Sequence, residues 1–309
     1  KFEAEAGVKL TLIKGGDAGE MLNKLILSKE APIADVVFGI DNAMLPRARK
    51  AGVLAPLPAS LLALPLNPAV KAVDPQATAA TDWLPIDYGF VTLNIDKAWF
   101  ASNNVRLPTQ LSQLAEPTYA KLLVVQNPAT SSPGLAFLSA TVQSQGAGVW
   151  GWWKNLRANG VKVSNSWSDA YYKDFTRNGG TRPIVVSYLS SPAAEVFYSD
   201  KPLTESPTAN LNLTGGMYAQ IEGIALVDGG ATSAVTQQAA LDFMRFMRGA
   251  EAQAALQTTM WMWPVSNGVP LAPVMSHAGA APSVKALDAE TLARESRDWI
   301  RQFNQVVVR

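Results

Sequence analysis

The sequence predicts an α/β fold with a doubly wound sheet and enough chain for two lobes. The chain opens in β-α-β-α order, and two later segments repeat a strand, a polar turn, Ser-Pro and a helix. Two long extended runs, residues 83–95 and 218–226, are candidates to cross between lobes. At 309 residues, 48% of them apolar, the chain can bury a full core.

The elements follow in order. Residues 2–7 read as the end of a helix that Gly7 stops, and residues 8–13 alternate as a strand. Gly15, Gly16, Asp17, Ala18 and Gly19 make a tight turn before an amphipathic helix over 20–29, whose apolar face carries Met21, Leu22, Leu25 and Ile26. ADVVFGI (34–40) has the continuous apolar character of a parallel strand. Asp41 and Asn42 can cap the next helix, which Gly52 ends. Residues 57–80, rich in Ala, Pro and Leu, read as loop with short helical pieces. WLPIDYGFVTLNI (83–95) is the first crossing run, followed by loop and short helix over 96–114.

KLLVVQNPATSSPGLAFL (121–138) organises the middle of the chain. It predicts a buried strand over 122–125, a polar turn, and a helix with Ser132 as N-cap and Pro133 at its first position. Leu135, Leu138 and Val142 fall on one helical face. Such a helix start offers backbone N–H groups and partial positive charge, and Thr130, Ser131 and Ser132 add hydroxyls, a receptor suited to an anion such as phosphate. On local sequence alone simple capping is the commoner reason for these residues, since capped strand–turn–helix units are common in α/β folds. Trp150, Trp152 and Trp153, in a helix over 149–159, read as packing. A short strand over 161–163 leads into SNSWSDAYYKDF, where Ser166 or Ser168 can cap a helix. PIVVS (183–187) is a buried strand followed by Tyr188, Leu189, Ser190, Ser191 and Pro192, so two Ser-Pro helix starts can face one cleft. Ala240, Phe243, Met244 and Met247 keep core spacing in a helix over 234–247, and residues 260–264 form an apolar plug. The last helix, 288–307, turns Leu292, Trp299, Ile300, Phe303 and Val306 inward.

Composition narrows the chemistry. Net charge is +1, no basic run suits nucleic acid, and no apolar stretch reaches membrane-spanning length. The chain has no Cys, which excludes thiol nucleophiles, zinc–thiolate sites and disulfides. Its single His, His277, sits in a Gly/Ala/Pro-rich loop and reads as a surface residue. Nucleophile–base pairs are nearly unavailable, and no glycine-rich nucleotide loop is present, so the sequence argues against an enzyme. Hydroxyls, backbone N–H groups and the aromatics Trp167, Tyr171, Tyr172 and Tyr188 instead suit a flat, cationic or phosphorylated small molecule. Adjacent tyrosines also occur as ferric ligands, but on a helix Tyr171 and Tyr172 point about 100° apart. No metal is expected.

The segments ADVVFGIDNAML, LPIDYGF, NPATSSPGLAFL, SWSDAYYKDF, VVSYLSSPA, FMRFM and MWMWPVSN stand in an order that resembles the periplasmic thiamine-binding proteins of ABC importers, related to ferric-binding proteins. The resemblance runs over nearly the whole chain. It implies a two-lobed, type II periplasmic-binding-protein fold with the ligand cleft between lobes and two crossing hinge strands. Lobe 1 would be 1–88 with 225–309, and lobe 2 would be 89–224. The ligand would be thiamine or its mono- or diphosphate, delivered to a permease in the inner membrane by a periplasmic, monomeric protein whose signal peptide is already removed. Carried over by position, the resemblance assigns the ligand site to Asp17, Ala18, Ser131, Ser132, Trp167, Tyr188, Leu189, Ser190 and Ser191.

Two departures from the family stand out. Family members begin with a further strand and an aromatic loop ahead of residues 2–7, and they carry an aromatic where this chain has Ala194. Phe197 or Tyr198 would have to supply that ring. Both changes weaken the ring cage more than the phosphate end. A carrier for ferric ion, a polyamine or another phosphorylated cation is therefore the alternative. A thiamine-cleaving transferase would need a nucleophile, typically Cys, and a sensory module presenting closed lobes to a receptor is a third class.

Overall fold

The structure, a computed structural model, describes residues 1–284 and 287–308. Local chemistry sets the helix ends. The helix Leu45–Ala51 stops at Gly52, whose φ of 64° is the left-handed turn that glycine adopts without steric cost, and Gly52 N–H satisfies the Ala48 and Arg49 carbonyls. At its start, Asp41 Oδ1 accepts from Met44 N–H at 2.8 Å. Nine strands are present among the described residues: β1 (Val36–Asp41), β2 (Leu54–Ala55), β3 (Leu84–Asp96), β4 (Leu123–Gln126), β5 (Lys162–Ser164), β6 (Ile184–Tyr188), β7 (Thr208–Leu211), β8 (Tyr218–Val227) and β9 (Trp263–Pro264).

The chain divides into two compact units. The first comprises Lys1–Tyr88, Gln220–Ala272 and Asp288–Ala293, and the second comprises Gly89–Ala219, Pro273–Leu287 and Arg294–Arg309.

In the first unit β8 lies between β1 and β3, with β2 also on β8 and β9 pairing Asp87 and Tyr88. β1 runs antiparallel to β8, with Val36 opposite Leu226 and Asp41 opposite Glu222. This corrects the parallel character expected for 34–40. A continuous apolar run reports burial, not direction, and the partner here comes from nearly 190 positions later in the chain. Residues 8–13 form no strand. Leu12 and Ile13 are 85% and 56% exposed, and the segment borders an apolar cavity of about 610 Å³ with Val36, Val37 and Phe38 of β1 and Ala240 and Phe243. Alternation alone does not make a strand: a ladder partner is needed, and none of the described residues supplies one on that side of β1. Phe2 packs edge-on to Phe243 at 5.2 Å, and the buried Trp83 donates its indole N–H to Ile40 O at 2.9 Å.

The second unit is built on parallel strands. β4 lies between β5 and β6, parallel to both, with Val124 opposite Lys162 and Val185. β3 adds antiparallel to β6, Val91 facing Tyr188, and β7 pairs with β3. All 13 residues of β3 are buried, the polar Asp87, Thr92, Asn94 and Asp96 among them. Trp152 and Trp153 do pack: Trp153 meets Phe137 at 5.9 Å and Phe303 at 4.9 Å, both edge-on. The C-terminal helix Ala289–Phe303 buries Leu292, Trp299 and Phe303, but its last turn widens over Asn304–Val308, so Val307 rather than Val306 turns inward.

Candidate ligand-binding site

β4, β5 and β6 are parallel neighbours, so their carboxyl ends, and the turns that follow, share one edge of the sheet. In open α/β sheets that edge is where ligands bind. Three of the segments singled out from sequence follow these ends: 127–131 after β4, 165–167 after β5 and 189–191 after β6.

The turn after β4 is tied at both sides. Asn127 N–H donates to Ser164 O at 2.8 Å, and Thr130 Oγ1 donates to Asn165 O at 2.6 Å. Asn127 folds the turn itself, Oδ1 accepting from Ala129 N–H at 2.9 Å while its carbonyl accepts from Ser131 N–H at 3.0 Å. The helix Ser132–Gln145 begins one residue earlier than expected. Ser131, with extended backbone (φ −114°, ψ 133°), occupies the N-cap, and Ser132 opens the helix ahead of Pro133. Ser131 does not behave as a simple cap. Its hydroxyl makes no capping bond, is fully buried, and has no hydrogen-bond partner among the described residues. Gly134 lets the helix lie against β4, since a Cβ there would sit 2.7 Å from Gln126 O.

The turn after β6 is also stitched into the core. Leu189 is buried, its N–H donating to Phe90 O at 2.8 Å and its carbonyl accepting from Asn210 Nδ2 at 3.0 Å, so only its backbone belongs to the turn. Ser191 Oγ lies 2.9 Å from Ser187 Oγ and accepts from Tyr188 N–H at 3.3 Å. Ser190 accepts from Ala193 and Ala194 N–H through its carbonyl, leaving a buried hydroxyl with no partner among the described residues.

Trp167 joins this group through its indole N–H, which donates to Ser187 Oγ at 2.8 Å. Ser166, not Ser168, caps its helix, accepting from Asp169 N–H at 3.0 Å. The helix then widens over Ala170–Asp174, with Phe175 N–H reaching back to Ala170 O at 3.0 Å. Tyr171 turns inward and stacks on Trp167 (centroids 5.1 Å, planes 23° apart), while Tyr172 is 57% exposed and meets Trp167 edge-on at 5.5 Å. The half-buried Tyr188 stands 6.2 Å from Trp167. Phe197 and Tyr198, named as replacements for the ring absent at Ala194, are 50% and 64% exposed and pack edge-on to each other at 5.1 Å.

Ser131, Ser132, Trp167, Tyr188, Leu189, Ser190 and Ser191 therefore gather in the second unit. Asp17 and Ala18 belong to the first, where Asp17 stands at the N-cap of the helix Ala18–Leu27, both residues half-buried. Sequence reasoning missed Ser187, the hub that receives the Trp167 N–H and meets Ser191. Its signal was its place as the penultimate residue of β6, two before Leu189. It also missed a buried carboxyl group in the first unit. Asp87 is fully buried, and burial first, then Glu222, hold its pKa well above the carboxylate range. Glu222 is pushed up to about 8 by desolvation and by Asp41 opposite it on β1.

Comparisons with known proteins agree with this architecture. The family model for bacterial extracellular solute-binding proteins matches residues 1–283. The thiamine-binding periplasmic protein of Escherichia coli (strain K12) is 30% identical, the alignment covering 100% of this chain and 87% of that protein. A solved periplasmic thiamin binding protein superposes with a TM-score of 0.82 at 29% identity, covering 100% of this chain and 89% of its own. A ferric binding protein from Campylobacter jejuni superposes at 0.75 with 19% identity, over 99% and 93% of the two chains, which speaks to the fold alone. The mixed α/β architecture is thus the two-lobed type II binding-protein fold, and the chain belongs to the family of bacterial extracellular solute-binding proteins.

Proposed function

We propose that this chain is the periplasmic solute-binding subunit of an ABC importer, a carrier and not an enzyme, that captures thiamine or its mono- or diphosphate and hands it to a membrane permease. The observation that carries the reading is the carboxyl edge of β6-β4-β5. There a Trp167 ring anchored through Ser187 stands on the same edge as two buried hydroxyls, Ser131 and Ser190, that have no hydrogen-bond partner among the described residues, in a chain 30% identical to a thiamine-binding periplasmic protein. Among the described residues no helix is long and apolar enough to cross a membrane.

In this reading each group has a physical task. Trp167 offers a π-face to the pyrimidine or thiazolium ring, a contact worth about 0.5–2 kcal/mol for a cationic ring. The Ser131/Ser132 helix start, 14 residues long, directs its N–H groups and partial positive charge at a phosphate, and Ser190 and Ser191 add a second hydroxyl pair. Asp17 and Ala18 contribute from the first unit, Asp17 as counter-charge to the ring cation. A ferric reading finds less support. The Tyr171 hydroxyl is turned inward and donates to Glu195 Oε1 at 2.8 Å, while Tyr172 is turned outward, so the two phenols do not converge on one point.

The test is a tryptophan-fluorescence titration with thiamine, its mono- and diphosphate, spermidine and ferric citrate. Saturable quenching by the thiamine compounds is expected, with affinity weakened about tenfold or more in Trp167→Ala. A response to spermidine or ferric citrate with none to any thiamine compound would overturn the reading.

A further inference from the structure

Trp167 is held from two directions. Its indole N–H is fixed by Ser187, and one face of its ring is covered by Tyr171, four residues on, in a near-parallel stack. Tyr171 is itself held. Its hydroxyl donates to Glu195 Oε1 at 2.8 Å, Glu195 Oε2 accepts from Arg177 Nε at 3.0 Å, and Asn178 Nδ2 donates to Tyr171 O at 3.0 Å. Beneath it, Tyr171 packs with Val124, Ala170, Phe175 and Val185, so the stack rests on β4 and β6. The widened turn at Ala170–Asp174 sets this geometry, placing Tyr171 under Trp167 and turning Tyr172 outward.

Resting on the thiamine-carrier reading, we propose that Tyr171 is a positioning residue for ligand recognition: with Glu195 and Arg177 it braces Trp167 from behind, so that the indole presents one preset face to a flat ring. Glu195 lies one turn after Ser191 on the helix Ser191–Phe197, so the ring platform and the Ser190/Ser191 turn are carried by one short element. A ring that is already fixed loses little conformational freedom when a ligand stacks on it, and the saving appears as affinity. Because burial and Glu195 keep the Tyr171 phenol protonated through the neutral range, its hydroxyl remains a donor to Glu195 there.

The brace makes a prediction that packing alone does not. Tyr171→Phe keeps the ring and removes only the bond to Glu195. Arg177→Ala removes a half-exposed partner three contacts away from Trp167, through Glu195 and Tyr171. The full chain is labelled with 5-fluorotryptophan, and the Trp167 resonance is assigned by its loss in Trp167→Phe. In both variants the resonance is expected to shift and broaden without any ligand present. Thiamine affinity is expected to fall about fivefold, with the monophosphate and diphosphate affected alike. Glu195→Gln, which still accepts from Tyr171, should restore most of the loss seen in Glu195→Ala. An unshifted Trp167 resonance with thiamine affinity unchanged in Tyr171→Phe and Arg177→Ala would overturn the brace. If the parent chain binds no thiamine, the carrier reading fails by itself, and the ligand-free fluorine spectra still decide whether the brace fixes Trp167.

Discussion

Ser131 and Ser190 separate ligand recognition from stability. A buried hydroxyl without a partner lacks its hydrogen bonds in the folded chain, a penalty of about 1–3 kcal/mol relative to water. Removing such a group from a purely structural site should be neutral or stabilising. Ser131→Ala and Ser190→Ala are therefore expected to leave the melting temperature unchanged or raise it by a few degrees, while weakening thiamine diphosphate binding about tenfold by calorimetric titration. A fall in melting temperature with unchanged affinity would assign both serines to the fold instead. Sequence made these residues visible, because Ser-Pro after a strand is a helix-start signal. It could not show that Ser131 would sit in the cap position without its hydroxyl making a capping bond.

Among elements, the helix Ser132–Gln145 shows how a strand end and a helix start are held in register. Gly134 is pressed against β4, and a Cβ there would meet Gln126 O at 2.7 Å and Gln126 C at 3.0 Å, both backbone atoms that cannot swing aside. Gly134→Ala should cost about 1–3 kcal/mol and shift the Ser131/Ser132 turn, read as a lower melting temperature together with weaker binding of the phosphorylated ligands. Gly151→Ala is the control: it lies within the helix Val149–Ala158, with nothing within 4 Å of the added Cβ, and should stabilise by about 0.5–1 kcal/mol. Most elements were legible because their signals are local: Gly52 stops a helix, Ser166 starts one, and β3 and β8 fall in the two long extended runs. What was not legible is pairing. Residues 8–13 and 34–40 both read as strands, yet only the second has a partner among the described residues, and that partner is the distant β8. The i, i+4 pair Trp167 and Tyr171 was likewise present in the sequence. The widened turn beneath it, and the Glu195 contact that fixes it, depend on tertiary packing.

In the whole molecule, the chain first passes from the first unit to the second between Tyr88 and Gly89 and first returns between Ala219 and Gln220, with three later passages after Ala272, Leu287 and Ala293. The two extended runs that sequence marked as crossings span the first two of these points, but the carboxyl groups beside them carried no sequence signal. Asp87 precedes the first passage by one residue and has no hydrogen-bond partner for either oxygen among the described residues, and Glu222 follows the second by two. Both hold their protons more tightly in the folded chain: Glu222 up to about 8 from a usual 4.5, and Asp87 well above its usual 3.8. Between those values the folded state binds more protons than the unfolded one. The stability these groups contribute is thus fully present below about 4 and is lost as pH rises through about 8. The melting temperature should therefore fall from pH 5 to pH 8.5 more steeply in the parent than in Asp87→Asn or Glu222→Gln, each of which fixes one site in an uncharged form. Two ionised carboxylates so close together also repel, so removing either should lower the apparent proton affinity of the other. Parallel pH profiles for parent and both variants would mean that neither group changes its protonation in the folded chain over this range. A profile flattened by either substitution would place the titration at Asp87 and Glu222, on the strands that hold the first two passages.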